Sequence, residues 1–305
     1  MPALSHASSL DWGELSPLRL TARTVADGVY AGLHPSPRRG AGIEFGGHRE
    51  YVPGDDLRWL DHRTLMRHGR LMIKEFETET DRALRLIVDA SASMGFRSDR
   101  ARGAKLAYAA LIAAALTRIA IAAGDPVALE WLGGQGGRSL PAIGGREAFE
   151  RIVGTLELAE PDPPGQLTEE ELERALTSTL RQTRRGAIIV LFSDLLDLPE
   201  SALERFAALG GAHRRTLVVV QVLDPLETDF ALSGPLRLRA TESRALIETD
   251  AETAREGYLA ALGALQERWR ARLISRRGRL VVCDSASDPV EVVRSVIRAA
   301  EGRLA

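Results

Sequence analysis

The sequence predicts an α/β protein in which helices cover both faces of a doubly wound, mostly parallel sheet. The first observation is a set of short runs that are apolar on both faces: AIIVLFSD (187–194), TLVVVQVL (216–223) and RLVVCD (279–284). Strands that are buried on both faces are typical of parallel sheets. The second observation is that longer helical patterns separate these runs, as crossover connections between parallel strands require.

The remaining elements follow the same alternation along the chain. We expect further strands at 84–89, 127–132 and 138–143. We expect helices at about 100–123, 146–158, 168–182, 199–209, 251–274 and 289–301. The first of these helices contains LAYAALIAAAL (106–116), which is too short to span a membrane and reads as a buried, Ala-rich helix.

Two segments interrupt the alternation. Residues 1–80 contain a helix candidate and then a passage rich in Gly, Pro and Arg, and we interpret them as an N-terminal appendage of helix, loops and short strands. Residues 81–305 then form the sheet domain. Within it, GPLRLRATESRALIETD alternates polar and apolar residues, which predicts a small β-hairpin inserted at about 226–250.

Composition excludes several classes of protein. The 305 residues carry a formal net charge of −2, so no overall field attracts nucleic acid or an anionic membrane. The single cysteine, Cys283, excludes an internal disulfide framework and a multi-cysteine zinc site, and it fits a reducing compartment. The N-terminus lacks the pattern of a secretory signal. We therefore expect a cytoplasmic protein without a membrane span.

Oxygen-bearing side chains follow two of the predicted strands. Asp89, Ser91 and Ser93 lie at the end of the first strand, and Asp194 follows the strand at 187–194. The carboxyl ends of parallel strands meet at one edge of the sheet, where ligands bind. One carboxylate and two hydroxyls are a hard-oxygen set that suits Mg²⁺, with Mn²⁺ or Ca²⁺ as alternatives, and a second carboxylate would balance the charge.

The motif DASASM, followed about a hundred residues later by FSD, resembles the metal-ion-dependent adhesion site of von Willebrand factor A domains. The resemblance implies a von Willebrand factor A-like fold and a threonine ligand before the second acidic strand. Thr168, in PPGQLTEEELERAL, lies near that place. The run Thr168-Glu169-Glu170-Glu171 is also a capping-box pattern, so the residue has a structural alternative as a helix cap.

Several motifs in order between Leu15 and about Val293 resemble the bacterial family catalogued as domain of unknown function 58. These motifs are GLHPSPRRGAGIEF, REYVPGDDLRWLDHR, DASASM and VVVQVLDPLETDF. The sequence departs from the family at Leu60-Asp61-His62, where Ile-Asp-Trp is common. The resemblance implies a MoxR-type AAA+ ATPase as the partner and an unknown client protein.

Two classes of function remain open for the predicted site. One is a Mg²⁺-dependent phosphoesterase, with Asp89 as the nucleophile or Asp194 as the base for water. That enzyme needs a basic group to receive phosphate, and Arg97 and Arg100 are the only candidates nearby in sequence. The chain has no G-x-x-x-x-G-K-[ST] phosphate loop and no G-x-S-x-G elbow. The absence of these signatures favours a non-enzymatic binding module.

In the favoured interpretation, Ser91 and Ser93 bind Mg²⁺ directly, Asp89 and Asp194 accept hydrogen bonds from its water ligands, and Thr168 is a further ligand. A sixth position stays open for an Asp or Glu of the partner protein. The ion then bridges two proteins. Away from this site, we expect Pro53 to Asp56 to form a turn whose charged residues, with Arg49 and Arg58, join the appendage to the sheet domain.

Overall fold

The structure is a computed structural model that describes residues 10–32, 44–51, 64, 66, 69, 71–77, 83–133, 138–163, 165–183, 186–210, 215–239, 242 and 246–302. The chain forms two compact units. One consists of residues 1–34 and 82–305, and the other of residues 35–81.

The described strands are β1 (Glu44–Glu50), β2 (Met72–Glu77), β3 (Leu84–Asp89), β4 (Val127–Leu132), β5 (Leu140–Ile143), β6 (Ile188–Ser193), β7 (Thr216–Leu223), β8 (Pro235–Arg239), β9 (Leu246–Asp250) and β10 (Arg279–Asp284). Six of them form the main sheet in the order β10-β7-β6-β3-β4-β5. All neighbours in this sheet are parallel except β4 and β5, which are antiparallel.

The described helices are α1 (Leu18–Gly32), α2 (Lys105–Ala122), α3 (Arg146–Glu157), α4 (Glu169–Gln182), α5 (Ala202–Leu209), α6 (Pro225–Asp229), α7 (Ala251–Ser275) and α8 (Pro289–Ala300). Successive strand residues face opposite sides of a sheet. Leu86 and Val88 of β3 pack into a core with α1, α2, α3 and α8, whereas Ile87 packs into a second core with α4, α5 and α7. The sheet is therefore covered on both faces, and the predicted fold class, the arrangement expected of a von Willebrand factor A-like domain, is confirmed.

Helix α2 is the buried helix that the sequence predicts. It is long and apolar enough to cross a membrane by length and composition, but 72% of that stretch is buried inside the fold. It contacts α1, α3, α8 and the sheet. Packing on nearly all of its faces holds α2 in place, and this packing also fixes the position of its first residue, Lys105.

The first helix, α1, contributes to the core that covers one face of the main sheet. Leu18, Ala22 and Val25 are buried, and α1 packs against α2 and α8 within the unit that contains the main sheet. The unit that contains α1 therefore crosses the predicted boundary between 1–80 and 81–305. In the unit of residues 35–81, β1 and β2 form an antiparallel pair with an irregularity between Phe45 and Gly47.

The predicted insertion is present as an antiparallel hairpin of β8 and β9. The short helix α6 before it was not predicted. Its sequence signal is Asp224-Pro225-Leu226-Glu227, a capping box with proline at the first helical position. The predicted turn at Pro53–Asp56, with Arg58, lies outside the described residues, and so does Leu60-Asp61-His62.

Candidate functional site

The site is built on two adjacent parallel strands, β3 and β6. Asp89 is the last residue of β3, and Asp194 comes directly after β6. The Ser193 hydroxyl donates a hydrogen bond of 2.5 Å to Asp89 Oδ2, which joins the two strand ends. Both aspartates are buried, each 1% exposed. The fold thus brings the two predicted acids together at the carboxyl edge of the sheet.

The loop after β3 holds the two predicted serines close to each other. The Ser91 N–H donates to Asp89 Oδ1 at 2.9 Å, and residues Ala92–Gly95 form a turn of 3-10 helix. This geometry leaves the hydroxyl oxygens of Ser91 and Ser93 3.2 Å apart. Ser93 is buried. Hydrogen bonds therefore connect Asp89, Ser91 and Ser93 in one cluster, and the Ser193 hydroxyl connects Asp89 to the strand end that carries Asp194.

A buried lysine lies against this cluster. The Lys105 side chain is 0% exposed, and its Nζ lies 2.8 Å from Asp194 Oδ2 and 2.7 Å from Glu227 Oε1. A cation at the first residue of a helix is unfavourable on its own, because the helix dipole is positive there. The two carboxylates offset both that effect and the cost of burial. Sequence reasoning missed this group; its only signal was an isolated lysine at the start of an apolar helix.

Asp194 pairs with Lys105 and Asp89 does not, so the pKa values of the two aspartates move in opposite directions. Burial alone would raise the pKa of Asp194, but the positive charge of Lys105 outweighs it and lowers that pKa. Burial would lower the pKa of Lys105, but Asp194 and Glu227 outweigh it and raise that pKa. Asp89 has no such cation, so burial and the charge of Asp194 raise its pKa to about 7. Asp194 therefore stays charged, while Asp89 titrates near neutral pH.

An acidic residue from the hairpin insertion also reaches the serine loop. Glu242 lies between β8 and β9, and its Oε1 accepts a hydrogen bond of 2.8 Å from the Ser93 N–H across 149 residues of sequence. It is 5% exposed. Within the described part of the chain, its Oε2 is buried and has no hydrogen-bond partner. No local pattern in TESR marks this residue, so sequence reasoning did not find it.

The backbone after Asp194 is held in a conformation that is uncommon for its residue type. Leu195 has φ of 64°, in the left-handed region, and its N–H donates to the Ser193 hydroxyl at 3.0 Å. The Gln221 side chain donates to the Asp194 carbonyl at 2.8 Å. A left-handed leucine costs about 1–2 kcal/mol, so surrounding contacts must fix it. The result is a rigid placement of Asp194.

Thr168 is the N-cap of α4, and the capping-box alternative is confirmed. The Glu171 N–H donates to Thr168 Oγ1 at 3.2 Å, and the Thr168 N–H donates to Glu171 Oε2 at 2.8 Å. Thr168 is exposed, and no contact recorded for it joins it to the aspartate and serine cluster. Its role as a metal ligand stays a prediction.

The loop before α4 approaches the serine loop through a different residue, Asp162. The Asp162 N–H donates to the Ala90 carbonyl at 2.7 Å. Gly133 lies beside it with φ of +70°, and a Cβ placed on Gly133 would come within 2.7 Å of Asp162 Oδ2 and 3.7 Å of the Ser91 nitrogen. Glycine is therefore needed at 133 for this approach.

The charge of the cluster fits a hard cation. Among the described residues, no three His, Cys, Asp or Glu side chains are grouped as a metal site, so an ion here depends on the serine hydroxyls. Asp194 and Glu227 share the ammonium group of Lys105, whereas Asp89 and Glu242 have no ion pair among the described residues. Buried negative charge in excess of positive charge is costly, and a divalent cation would reduce the excess. Hydroxyl and carboxylate oxygens are the donors that Mg²⁺ accepts.

The solved structures that this chain resembles are distant from it in sequence and in structure. BatB from Bacteroides thetaiotaomicron is 14% identical, with 72% of this chain and 98% of that chain covered and a TM-score of 0.44. The von Willebrand factor type A protein from Catenulispora acidiphila is 11% identical, with 73% of this chain and 42% of that chain covered and a TM-score of 0.41. At these TM-scores the likenesses add nothing to the family assignment, which depends on sequence.

The sequence matches cover most of the chain. The uncharacterized protein Rv1480 of Mycobacterium tuberculosis is 30% identical over 277 residues, which is 86% of this chain and 84% of that protein. The uncharacterized protein Mb1516 of Mycobacterium bovis matches equally. Residues 47–268 match the family described as protein of unknown function DUF58. The resemblance predicted from the motifs is therefore confirmed, and the chain belongs to the DUF58 family.

Proposed function

We propose that this protein is a non-enzymatic binding module whose site takes up Mg²⁺ and uses it to bind an acidic side chain of a partner protein. One observation carries the proposal: the hydroxyl oxygens of Ser91 and Ser93 lie 3.2 Å apart beside two buried aspartates at the edge of the sheet. The bound ion would supply a Lewis-acidic position that attracts a carboxylate.

The hydrogen bonds that the two aspartates already accept support a role in which they bind the water ligands of the ion and not the ion itself. Both oxygens of Asp89 already accept hydrogen bonds, from the Ser91 N–H and the Ser193 hydroxyl. Both oxygens of Asp194 are also engaged, with the Leu196 N–H and with Lys105. We therefore assign direct binding of the ion to the serine hydroxyls and hydrogen bonding of its water ligands to the aspartates. Thr168 is left out of the set, because its hydroxyl is bound to Glu171.

The arginines that a phosphoesterase would need are engaged elsewhere. Arg97 pairs with Asp11 at 2.7 Å, and Arg100 pairs with Asp229 at 2.7 Å. Asp89, the candidate nucleophile, is 1% exposed. These contacts favour binding over phosphate ester turnover.

The partner is proposed from family resemblance. We propose a MoxR-type AAA+ ATPase as the protein that binds this site, with a client protein that remains unidentified. We also propose a cytoplasmic location, for which the reduced, buried Cys283 is suited.

Calorimetry with Mg²⁺ tests the proposal. The wild-type chain should bind one ion weakly, and a variant with both Ser91→Ala and Ser93→Ala should lose that binding while staying folded. Ser275→Ala, an exposed serine on α7, is the matched control and should bind as wild type does. Equal Mg²⁺ binding by the double serine variant would refute the site, and phosphate ester turnover by the isolated wild-type chain would refute the binding role.

A further inference from the structure

We infer that Glu242 is an internal acidic ligand of the same site, so that an acidic partner binds by displacing it. The inference rests on the proposed function, because it assigns the remaining ligand of the proposed ion. The sequence alone left that position open for a carboxylate of another protein. The structure instead places a carboxylate of this chain within reach of it.

Glu242 is held at the serine loop by a hydrogen bond with Ser93. The Ser93 N–H donates to Glu242 Oε1 at 2.8 Å, and the hydroxyl of the same serine is a proposed ligand of the ion. A backbone N–H bound to a carboxylate is a strong, charge-assisted hydrogen bond. This bond holds the acid at the serine loop rather than in solvent, in keeping with its 5% exposure.

The other oxygen of the Glu242 carboxylate, Oε2, has no partner of its own among the described residues. Glu242 Oε2 is buried and, among the described residues, accepts no hydrogen bond. A buried carboxylate oxygen without a partner is strongly unfavourable. A cation bound at the neighbouring serine hydroxyls would satisfy it.

The ammonium group of Lys105 is already hydrogen-bonded to other acids. Lys105 Nζ has hydrogen bonds to Asp194 Oδ2 and to both oxygens of Glu227. An ammonium group has three donors, so these contacts use its capacity. The charge that would neutralise Glu242 must therefore come from elsewhere.

The base of the hairpin is anchored to the sheet domain. The Ala251 N–H donates to the Gly234 carbonyl at 3.0 Å, and Arg255 Nη2 donates to the Leu232 carbonyl at 2.7 Å. These contacts fix both ends of the β8–β9 hairpin near the start of α7. Glu242 reaches the serine loop from between the two strands of this hairpin, and an acidic side chain of a partner would compete for the same ion.

The test compares Glu242→Gln with Glu248→Gln in the full chain. Glu248 is the matched control, because it lies on the same hairpin with its side chain 79% exposed. Calorimetry should show Mg²⁺ affinity reduced about tenfold or more in Glu242→Gln, the range seen when a metal site loses a supporting group. In the presence of Mg²⁺, a short oligoglutamate peptide should bind Glu242→Gln more tightly than it binds wild type or Glu248→Gln.

A second measurement needs no variant. Mg²⁺ should slow amide hydrogen exchange in β8 and β9 of the wild-type chain, because the ion would tie the hairpin to the serine loop. Mg²⁺ affinity of Glu242→Gln equal to that of Glu248→Gln, or exchange unchanged by Mg²⁺, would overturn the inference. If the double serine variant still loses Mg²⁺ in those cases, the proposed function stands; if it does not, both fail.

Discussion

Lys105 Nζ lies 2.8 Å from Asp194 Oδ2, and the two side chains are 0% and 2% exposed. This ion pair is fully inside the protein, next to the serine loop. It fixes Asp194 in its charged form and leaves Asp89 as the acid that titrates.

Removal of Lys105 should be strongly destabilising. In Lys105→Met, the carboxylates of Asp194 and Glu227 lose their shared cation, and a broken buried ion pair costs about 3–5 kcal/mol. Urea unfolding should show this loss. Arg270→Met, which breaks an exposed pair with Glu267, is the control and should cost about 0.5 kcal/mol or less. A loss in Lys105→Met no larger than in the control would contradict the structure.

Asp89 should make stability depend on pH. Its pKa is raised from 3.8 to about 7 in the folded protein, so between these values the folded state binds more protons than the unfolded chain. The free energy of unfolding contributed by this group is then highest at low pH and falls as the pH rises through that window. Acids with lowered pKa values, such as Asp194, act in the opposite direction.

The contribution of Asp89 is isolated by comparison with Asp89→Asn in EDTA. The stability of wild type relative to the variant should fall as the pH is raised from about 4 to about 7. Denaturant unfolding at a series of pH values measures the difference. A difference that stays constant, or rises with pH, would show that the pKa of Asp89 is not raised.

Thr168→Ala should separate the two roles that the sequence suggests for that residue, a helix cap and a ligand of the ion. Loss of an N-cap costs about 1 kcal/mol, and we expect that loss in thermal or urea unfolding. Mg²⁺ affinity should be unchanged, because the hydroxyl is already bound to Glu171. A fall in Mg²⁺ affinity without loss of stability would instead make Thr168 a ligand of the ion.

The sequence predicted the main sheet well, because its inner strands β3, β6 and β7 are short apolar runs that are buried on both faces. The edge strand β10, also predicted to be apolar on both faces, leaves Val282 exposed. The strands predicted at 84–89, 127–132 and 216–223 have those bounds in the structure. The helix at 106–116 was recognised as buried because apolar residues occupy all of its faces. In these segments, burial leaves a local signature in the residues themselves.

The site was predicted only in part, because several of its contacts join segments that are distant in sequence. Asp89 and Asp194 were paired correctly, since both end apolar strands. The contacts of Lys105 with Glu227 and of Ser93 with Glu242 span 122 and 149 residues and leave no local pattern. The packing of α1 into the core of the main sheet was not predicted for a similar reason: its amphipathic face does not show which core it joins.

Association with the proposed partner, a MoxR-type ATPase, tests the central claim most directly. The complex should form in Mg²⁺, dissociate in EDTA, and be lost in the double variant Ser91→Ala and Ser93→Ala, while Ser275→Ala retains it. Added salt should weaken it less than chelation does, because a coordinated carboxylate is poorly screened. A complex that is equally stable in EDTA and in the double serine variant would contradict the claim that the ion at this site bridges the two proteins.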